Sequence, residues 1–457
     1  MIPARRNSLS HQKVFASSIL YPRAVMPTIL LTITSIVLLA AHTLRWGEAG
    51  MAVSLVLFAT LMGTRRQWVR LAALPVLVWG LFIWSRTGIF LLHFRMAADL
   101  PWVRLAVIMT AVMSVTLLGL LGLAMGPGRR FFVRQPPHDT ARAAVFILTA
   151  GLLLGIRHLS AIPLLLADRF IPGLGPLEIF ALALYAVWVC GRLLEPKTQA
   201  STRRVVWLLF SVIFFAQLFL GLLGMESFLM TGKLHLPVPA LILAGPLFRG
   251  EGWFMPILFG STLLMVGPAW CSHLCYIGAW DHCMAQHNRP HPLPGWTRIL
   301  RWSILVLVVL TALLLRFMQV PAPDAAMLAG MFGLIGIGIM ILVSRRMGTM
   351  VHCTTFCPIG ILGNYLGKLA PWRMRIASSC TRCTTCFRAC RYNALDLSAL
   401  SQGKPHTTCT LCGDCASACP HGALTFSAPL MRPARARQLF MIVVTTLHTL
   451  FLGVARI

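Results

Sequence analysis

The chain has 457 residues, of which 57% are hydrophobic and only 11% are charged. Water-soluble domains carry about a quarter charged residues, so this composition excludes a soluble globular protein and indicates a polytopic membrane protein. The net charge of +28 would suggest nucleic acid binding in a soluble protein. In a membrane protein it is a topology signal, because Lys and Arg concentrate in cytoplasmic loops, and we expect no nucleic acid partner.

The basic N-terminus leads into a series of apolar runs. Residues 1–23 are predicted to form a cytoplasmic basic tail, since no small-residue cleavage site of a signal peptide follows them. About 20 apolar residues are needed to cross a bilayer, and runs near that length lie at 24–44, 49–64, 71–94, 105–125, 143–156, 176–192, 205–224, 253–270, 302–320 and 327–344, with an eleventh candidate at 438–455. The sequence therefore predicts about ten or eleven helices, about six of them in an N-terminal membrane domain at 24–204.

The distribution of charge predicts the direction of these spans. With the N-terminus inside and alternating spans, the basic segments "RRQWVR" and "GPGRRFFVRQPPHDTAR" and the stretch 345–437 lie on the inner side. The acidic residues then lie mostly outside, as the positive-inside rule requires. We predict a multi-pass protein of the bacterial cytoplasmic (inner) membrane. Its N-terminus and clustered cysteines would face the cytoplasm, where thiols stay reduced.

The longest predicted outer segment follows the run at 205–224. Its "PVPALILAGPLF" portion is apolar but broken by proline and too short to span, which favours an interfacial or re-entrant placement. It is flanked by Glu226, Lys233, His235 and Glu251. An ordinary loop lying on the membrane and a quinone or partner site are both open interpretations.

Two pairs of cysteines follow spans that are oriented from outside to inside. They are Cys271 with Cys275, in "CSHLCYIG", and Cys353 with Cys357, in "CTTFCPIG". Thiols four residues apart share one face of a helix. Together the pairs supply four thiolates for a metal ion or a further cluster; redox-active thiols and simple packing are the alternatives. Cys283 is unassigned, and Cys190 is predicted to be a packing residue.

The C-terminal cysteines repeat the spacing C-x2-C-x2-C-x3-C, which is typical of cubane iron–sulfur binding. The fourth cysteine of such a run cannot reach the cluster held by the first three and serves the other cluster. This crossing predicts two [4Fe–4S] clusters, the first held by Cys380, Cys383, Cys386 and Cys419 and the second by Cys409, Cys412, Cys415 and Cys390. Zinc is less consistent with this spacing.

Residues 376–427 resemble the bacterial-type ferredoxin with two [4Fe–4S] clusters. One departure is Arg391, which stands where that pattern has proline. An arginine here raises the reduction potential of the second cluster, makes a docking contact or is a tolerated loop change. The two C-x3-C motifs in a membrane domain at 205–375, followed by this ferredoxin, resemble the membrane polyferredoxin family. That family includes the quinol-dehydrogenase subunit of periplasmic nitrate reduction and the regulator of nitrous oxide reduction.

The predicted fold is mainly α, a polytopic transmembrane helical bundle with a small α+β two-cluster ferredoxin domain near the C-terminus and a hydrophobic helix at 438–455. The resemblance implies electron transfer between the quinone pool and a redox partner protein, as a component of an oxidoreductase system rather than a stand-alone enzyme. A maturation factor that reduces a metal or thiol of another enzyme, with the C-x3-C cysteines as working thiols, is one alternative. A membrane redox sensor is another.

Overall fold

The computed structural model describes residues 21–132, 138–229 and 236–454. Residues 1–20 of the predicted N-terminal tail lie outside this part of the chain, as do Lys233 and His235 of the outer segment. The described residues are mostly helical and contain one two-stranded sheet. This confirms the mainly α, polytopic fold class. The chain divides into two compact units, residues 1–187 and 188–457.

The first unit is built from apolar helices joined by short turns. Its helices are α1 (Tyr21–Arg45), α2 (Ala49–Leu61), α3 (Gln67–Ala97), α4 (Val103–Ala124), α5 (Gly126–Phe131), α6 (Asp139–Leu159), α7 (Leu166–Phe170) and most of α8 (Gly175–Leu194). Helices α1 and α4 approach closely because Gly122 has no side chain, and a Cβ there would lie 2.6 Å from Thr28 Cγ2. Small residues at helix crossings are typical of membrane bundles.

The second unit begins within α8 and contains every clustered cysteine. Its further helices are α9 (Pro196–Leu222), α10 (Leu241–Arg249), α11 (Phe254–Val266), α12 (Trp270–His273), α13 (Tyr276–Ala285), α14 (Thr297–Phe317), α15 (Ala322–Ile339), α16 (Arg345–Met347), α17 (Pro358–Leu366), α18 (Thr385–Ala389), α19 (Leu397–Ser401), α20 (Asp414–Ala418) and α21 (Pro433–Val454). Two π-helical turns, Met340–Ser344 and His352–Phe356, interrupt this order. Such turns are frequent at functional sites.

Ten helices of the described chain are long and apolar enough to cross a membrane. They are Met26–Arg45, Gln67–Ala97, Val103–Ala124, Asp139–Leu159, Gly175–Leu194, Pro196–Leu222, Phe254–His273, Thr297–Phe317, Ala322–Met347 and Pro433–Val454. The predicted run at 49–64 forms a shorter apolar helix, Ala49–Thr64, and the predicted terminal run is long enough to span. The chain is therefore a multi-pass membrane protein. The large apolar side chains exposed along these helices are those expected where a helix faces lipid.

Helix α10 occupies the predicted outer segment. It has nine residues, too few to cross a bilayer. At its start, Ala240 packs with Ile304 and Val308 in the middle of α14. At its end, the carbonyl of Leu247 accepts a hydrogen bond from Arg316, in the last turn of α14. The segment therefore packs along α14 from the middle of that helix to its last turn.

The ferredoxin-like region, which here denotes residues 373–427, contains the two-stranded sheet of the described chain. Strands β1 (Arg373–Ile376) and β2 (Leu424–Ser427) are antiparallel, with Met374 opposite Phe426 and Ile376 opposite Leu424. These four side chains are buried on one face, as the alternation of a half-buried strand requires. Phe426 stacks on Phe440 of α21, with 4.9 Å between ring centroids. The C-terminal helix therefore covers the sheet.

Candidate metal centres

The first group of thiols surrounds a surface cavity in the ferredoxin-like region. Cys380, Cys383 and Cys386 line it together with Cys419, whose run is 29 residues further along the chain. About 290 Å³ of space not filled by atoms, part of it open to solvent, lies between these residues. Cys383 is exposed, and hydrogen bonding to Thr385 lowers the pKa of its thiol. This is the crossed set that the spacing predicted for the first cluster.

The second group surrounds another cavity, and none of its four thiols is exposed. Cys390 lines it together with Cys409, Cys412 and Cys415, the set predicted for the second cluster. About 320 Å³ of space not filled by atoms, part of it open to solvent, lies between these residues. Burial raises the pKa of the Cys409 thiol to about 12, and it raises the pKa of Cys390, Cys412 and Cys415 as well. Without a cation, these four thiols are neutral at physiological pH.

The two cysteine runs share one backbone conformation. Arg382 and Leu411 stand two residues after the first cysteine of each run, and both have a left-handed backbone with φ of 55°. Thr384 and Gly413 stand two residues further on and are also left-handed. The fourth cysteines match too, since the Cys390 and Cys419 sulfurs each accept a hydrogen bond from the amide four residues later, at 3.4 Å. Left-handed residues other than glycine are uncommon, so their repetition at equivalent positions shows that the two cysteine runs form the same kind of loop.

The third group joins the two C-x3-C motifs. Cys271 and Cys275 are both buried, and Cys353 and Cys357 lie in and just after the π-helical turn. Burial, followed by the nearby Asp281 and the other three thiols, raises the pKa of Cys353 well above its ordinary value. Because the other three thiols all affect the pKa of Cys353, the four thiols lie close to one another. Among the described residues, Cys283 and Cys190 belong to none of these groups.

The two C-x3-C motifs also have matching local structures. Cys275 and Cys357 immediately precede α13 and α17, with ψ of 117° in both. Three residues later, Gly278 and Gly360 let each helix pack on its own motif, because a Cβ there would lie 2.8 Å from the carbonyl oxygen of Cys271 and 2.5 Å from that of Cys353. The "IG" that follows both motifs is a sequence signal that spacing alone did not use. Tyr276, where the second motif has Pro358, begins its helix in the same way and stacks on Phe214 at 3.9 Å.

Backbone amides at the two helix N-termini face the third group. The amides of Ile277 and Gly278 donate to Cys275, and those of Ile359 and Gly360 donate to Cys357. These bonds favour thiolate over thiol, but burial still raises the pKa of Cys275 to about 12. Thiols with raised pKa values, such as those of Cys275, Cys353 and Cys357, are costly as anions unless a cation binds them. They fit a ligand set that is deprotonated by its metal.

Charged side chains that the sequence analysis did not single out lie beside the third group. The carboxylate of Asp281, which is fully buried, accepts a hydrogen bond from the Cys353 amide at 2.9 Å. Burial raises the pKa of Asp281 to about 6. The buried Arg301 donates to the carbonyl of Gly360 at 3.0 Å. Burial raises the pKa of Cys357, and the positive charge of Arg301 opposes that rise. No spacing rule connects these residues with the cysteines, and only the fold brings them together.

The ferredoxin-like region is attached to the membrane helices by a buried ion pair. Arg203 of α9 donates from two nitrogens to the Asp414 carboxylate of α20, at 2.6 and 3.0 Å. It also donates to the carbonyl of Ser272 at 3.1 Å and lies 2.9 Å from His282 Nε2. Ser272 belongs to the first C-x3-C motif, and Asp414 lies between two cysteines of the second group. Arg203 therefore connects two of the thiol groups directly.

Comparisons with known proteins identify two matching family models. Both are described as a 4Fe-4S binding domain; one matches residues 406–425, and the other matches 241–294 and 329–376. The second model contains all four C-x3-C cysteines in its matched stretches. No curated protein and no solved structure gives a significant match. Within the described residues, no cluster of His, Cys, Asp or Glu has the spacing of a single metal ion. The C-terminal half thus contains iron–sulfur binding domains, which imply electron transfer.

Proposed function

We propose that the protein transfers electrons between the quinone pool and a redox partner protein through three iron–sulfur sites. The observation that carries this proposal is the arrangement of the thiol groups within one unit. The third group lies at the ends of membrane helices, and Cys353 packs in the same cluster of side chains as Cys390, Cys409 and Cys412 of the second group. The first group includes the exposed Cys383. The third, second and first thiol groups therefore form a succession of sites that leads from the membrane helices to the protein surface.

The ligands proposed are the three groups of four cysteines. Cys380, Cys383, Cys386 and Cys419 hold one [4Fe–4S] cluster, Cys390, Cys409, Cys412 and Cys415 a second, and Cys271, Cys275, Cys353 and Cys357 a third. When bound, these clusters supply one-electron redox chemistry. The protein supplies partial or full burial, which limits the access of water to the second and third groups. It also supplies amide donors and the buried Arg301, which offset negative charge beside the third group.

The membrane end of this succession is proposed to meet quinol beside the third group. Phe356, next to Cys357, stacks on Phe332 with 4.5 Å between ring centroids. Both rings pack against the cluster formed by Ala240, Ile304 and Val308. The segment that contains α10 therefore reaches from α14 to the neighbourhood of the third group. An aromatic, apolar surface inside the bilayer is the environment that a quinone ring requires.

The surface end is proposed to meet an acidic redox partner. Cys383 is flanked by Arg382, and the side chains of Arg382 and Arg388 are exposed. Basic side chains around an exposed redox site attract a partner of opposite charge and raise its association rate. We place this face, together with the N-terminus, in the cytoplasm of a bacterium, on the basis of the positive-inside rule.

Anaerobic purification followed by low-temperature EPR tests the proposed function. The full-length protein should contain about 12 iron atoms, four for each cubane, and a quinol should reduce at least one cluster without dithionite. Cys357→Ser should remove about a third of the iron, whereas Cys283→Ser should leave the iron content unchanged, because Cys283 joins no group. Reduction by dithionite alone, with quinol inactive, would refute the quinol donor and favour the sensor alternative.

The maturation alternative makes a different prediction for the C-x3-C thiols. As working thiols they would have to react as thiolates, but burial raises the pKa of Cys275, Cys353 and Cys357 and lowers the thiolate population. We therefore favour ligation over thiol chemistry. If Cys357→Ser left quinol-driven cluster reduction intact while a partner enzyme became metal-deficient, the maturation alternative would replace our proposal.

A further inference from the structure

Ser272 is a direct contact between the third thiol group and the loop of the second group. It stands next to Cys271 in the first C-x3-C motif and has no solvent exposure. Its Oγ lies 2.9 Å from the carbonyl oxygen of Thr410, which follows Cys409 and lines the cavity of the second group. A single hydrogen bond therefore joins the residue that follows a cysteine of one group to the residue that follows a cysteine of the other.

The surroundings of the Ser272 hydroxyl direct its proton to Thr410. Its Oγ also lies 3.0 Å from His273 Nδ1 and 3.3 Å from the carbonyl oxygen of Ala269. The Ala269 carbonyl has a second candidate donor in His273 Nδ1, at 3.3 Å. Thr410 is buried, and no other donor to its carbonyl is found among the described residues. Because a buried carbonyl needs a donor, the Ser272 hydroxyl donates to Thr410.

A second connection leaves Ser272 through its backbone carbonyl. This carbonyl accepts a hydrogen bond from Arg203 Nη1 at 3.1 Å. The same guanidinium donates to the carboxylate of Asp414, which stands between Cys412 and Cys415. All of these hydrogen bonds are buried. Ser272 therefore reaches the second cysteine run at two places, once directly and once through Arg203.

The equivalent residue of the second C-x3-C motif is Thr354, and it is bonded differently. Its Oγ1 donates at 2.6 Å to the carbonyl of Met350, four residues earlier in its own segment. Thr354 is also buried. Cys353 of this motif approaches the second group by side-chain packing. The direct hydrogen bond to the second cysteine run is thus a property of Ser272 and not of every hydroxyl at this motif position.

We infer that the hydrogen bond from the Ser272 hydroxyl to the Thr410 carbonyl is the path by which electrons pass between the clusters of the third and second groups. Electron tunnelling weakens less steeply along covalent bonds and a hydrogen bond than across a gap between unbonded atoms. Covalent bonds and this one hydrogen bond connect Cys271 with Cys409. The route through packed side chains near Cys353 contains gaps of that kind.

The transfer leaves Ser272 chemically unchanged. One electron leaves the reduced cluster of one group and enters the oxidised cluster of the other. No bond of Ser272 is formed or broken, and its hydroxyl keeps its proton. Ser272 is therefore a positioning residue. The inference rests on the clusters proposed at the second and third groups, but not on quinol as the electron donor.

The test is flash photoreduction of the full-length protein by a soluble deazaflavin, followed by freeze-quench EPR. The photoreduced deazaflavin gives an electron to the exposed first site, and the second and third clusters are then followed as they approach redox equilibrium. The signal of the third cluster is assigned by its loss in Cys357→Ser. In Ser272→Ala, the rate of transfer between the second and third clusters should fall several-fold. The potentials of both clusters, measured by dithionite titration, should stay unchanged.

Thr354→Val is the matched control, because it removes the equivalent buried hydroxyl from the other motif and should leave the transfer rate unchanged. Iron content and the magnetic dipolar coupling between the two reduced clusters separate a lost path from a changed structure, and both should be the same in Ser272→Ala as in the wild type. An unchanged rate in Ser272→Ala would overturn the inference. Equal slowing in Thr354→Val would also overturn it, as would slowing accompanied by a change in iron content, coupling or potential.

The outcome is separable from that of the proposed function, because no quinol is used. If quinol reduces nothing but flash photoreduction shows the slower transfer in Ser272→Ala, the quinol donor is refuted and the inference stands. If quinol reduces the clusters and Ser272→Ala transfers electrons at the wild-type rate, the inference alone fails.

Discussion

At the scale of single residues, Arg391 illustrates how an unexpected side chain gains a role from its surroundings. Proline was expected there by resemblance to two-cluster ferredoxins. The guanidinium instead donates to the carbonyls of Ala285 and Asn288 at the end of α13 and to that of Gly348 after α16. Helix ends leave such carbonyls without intrahelical partners, and arginine offers several donors. Of the three interpretations left open by the sequence, a docking contact is the one this geometry supports.

Arg203 is a second residue whose role differs from its appearance in the sequence. It stands in the basic segment "STRR" before an apolar run, where the positive-inside rule accounts for it. In the fold it has no solvent exposure and pairs with Asp414, 211 residues away in the sequence. Its neighbour Arg204 is exposed and donates within its own helix to the carbonyl of Ala200. Two adjacent arginines therefore have different functions.

Replacing Arg203 by Met is expected to destabilise the ferredoxin-like region by about 3–5 kcal/mol. The change leaves the buried Asp414 carboxylate without its cation, which costs more than the pair itself contributes. The free energy of unfolding of this region can be measured by pulse proteolysis in detergent. Arg204→Met should change it by less than about 0.5 kcal/mol. Equal effects of the two substitutions would contradict the assigned role of the buried pair.

At the scale of elements, the cysteine runs show what the sequence can predict. Spacing alone yielded the crossed sets around the two cavities, because a short loop limits which thiols can meet. It did not predict the shared left-handed positions of Arg382 and Leu411, since neither residue type favours that conformation. It also did not predict Asp281 or Arg301 beside the third group. These depend on contacts between segments far apart in the chain, which no local pattern records.

At the contact between α20 and α9, Gly413 is required both by its backbone conformation and by the close approach of a neighbouring side chain. Its φ is +80°, and a Cβ there would lie 2.0 Å from Gln199 Nε2 of α9. Gly413→Ala should therefore loosen the contact between α20 and α9 and expose the second thiol group. We expect faster loss of iron–sulfur absorbance during exposure to a chelator, and faster proteolysis near residue 413, than in the wild type.

Gly422 provides the matched control for this substitution. It is also left-handed, with φ of +60°, but a Cβ there would meet nothing within 4 Å. Gly422→Ala therefore carries the cost of the backbone conformation, about 1 kcal/mol, without the clash. If both variants lost their clusters at the same rate, the close approach between α20 and α9 would not be what Gly413 permits.

At the scale of the whole molecule, the sidedness of the ferredoxin-like region depends on one short helix. The long helices before this region number nine among the described residues. If these alone cross, the N-terminus and the clustered cysteines lie on opposite sides of the membrane. Adding the Ala49–Thr64 helix makes ten crossings and places them on the same side. Only the second arrangement brings Arg65 and Arg66 to the side of the basic N-terminus, as the positive-inside rule requires.

We therefore expect the Ala49–Thr64 helix to cross the bilayer although it is short. Its 13 α-helical residues and the three-residue turn that follows reach about 25 Å, against a hydrocarbon core of about 30 Å. Arg65 and Arg66 can extend their charged ends toward the headgroups to cover the difference. Reporter fusions truncated after residues 47, 66 and 428 should report outside, inside and inside, respectively. If the fusions at 47 and 66 reported the same side, the Ala49–Thr64 helix would not cross the membrane. If the fusion at 66 reported inside and the fusion at 428 reported outside, this helix would cross, and one of the spans assigned after it would be wrong.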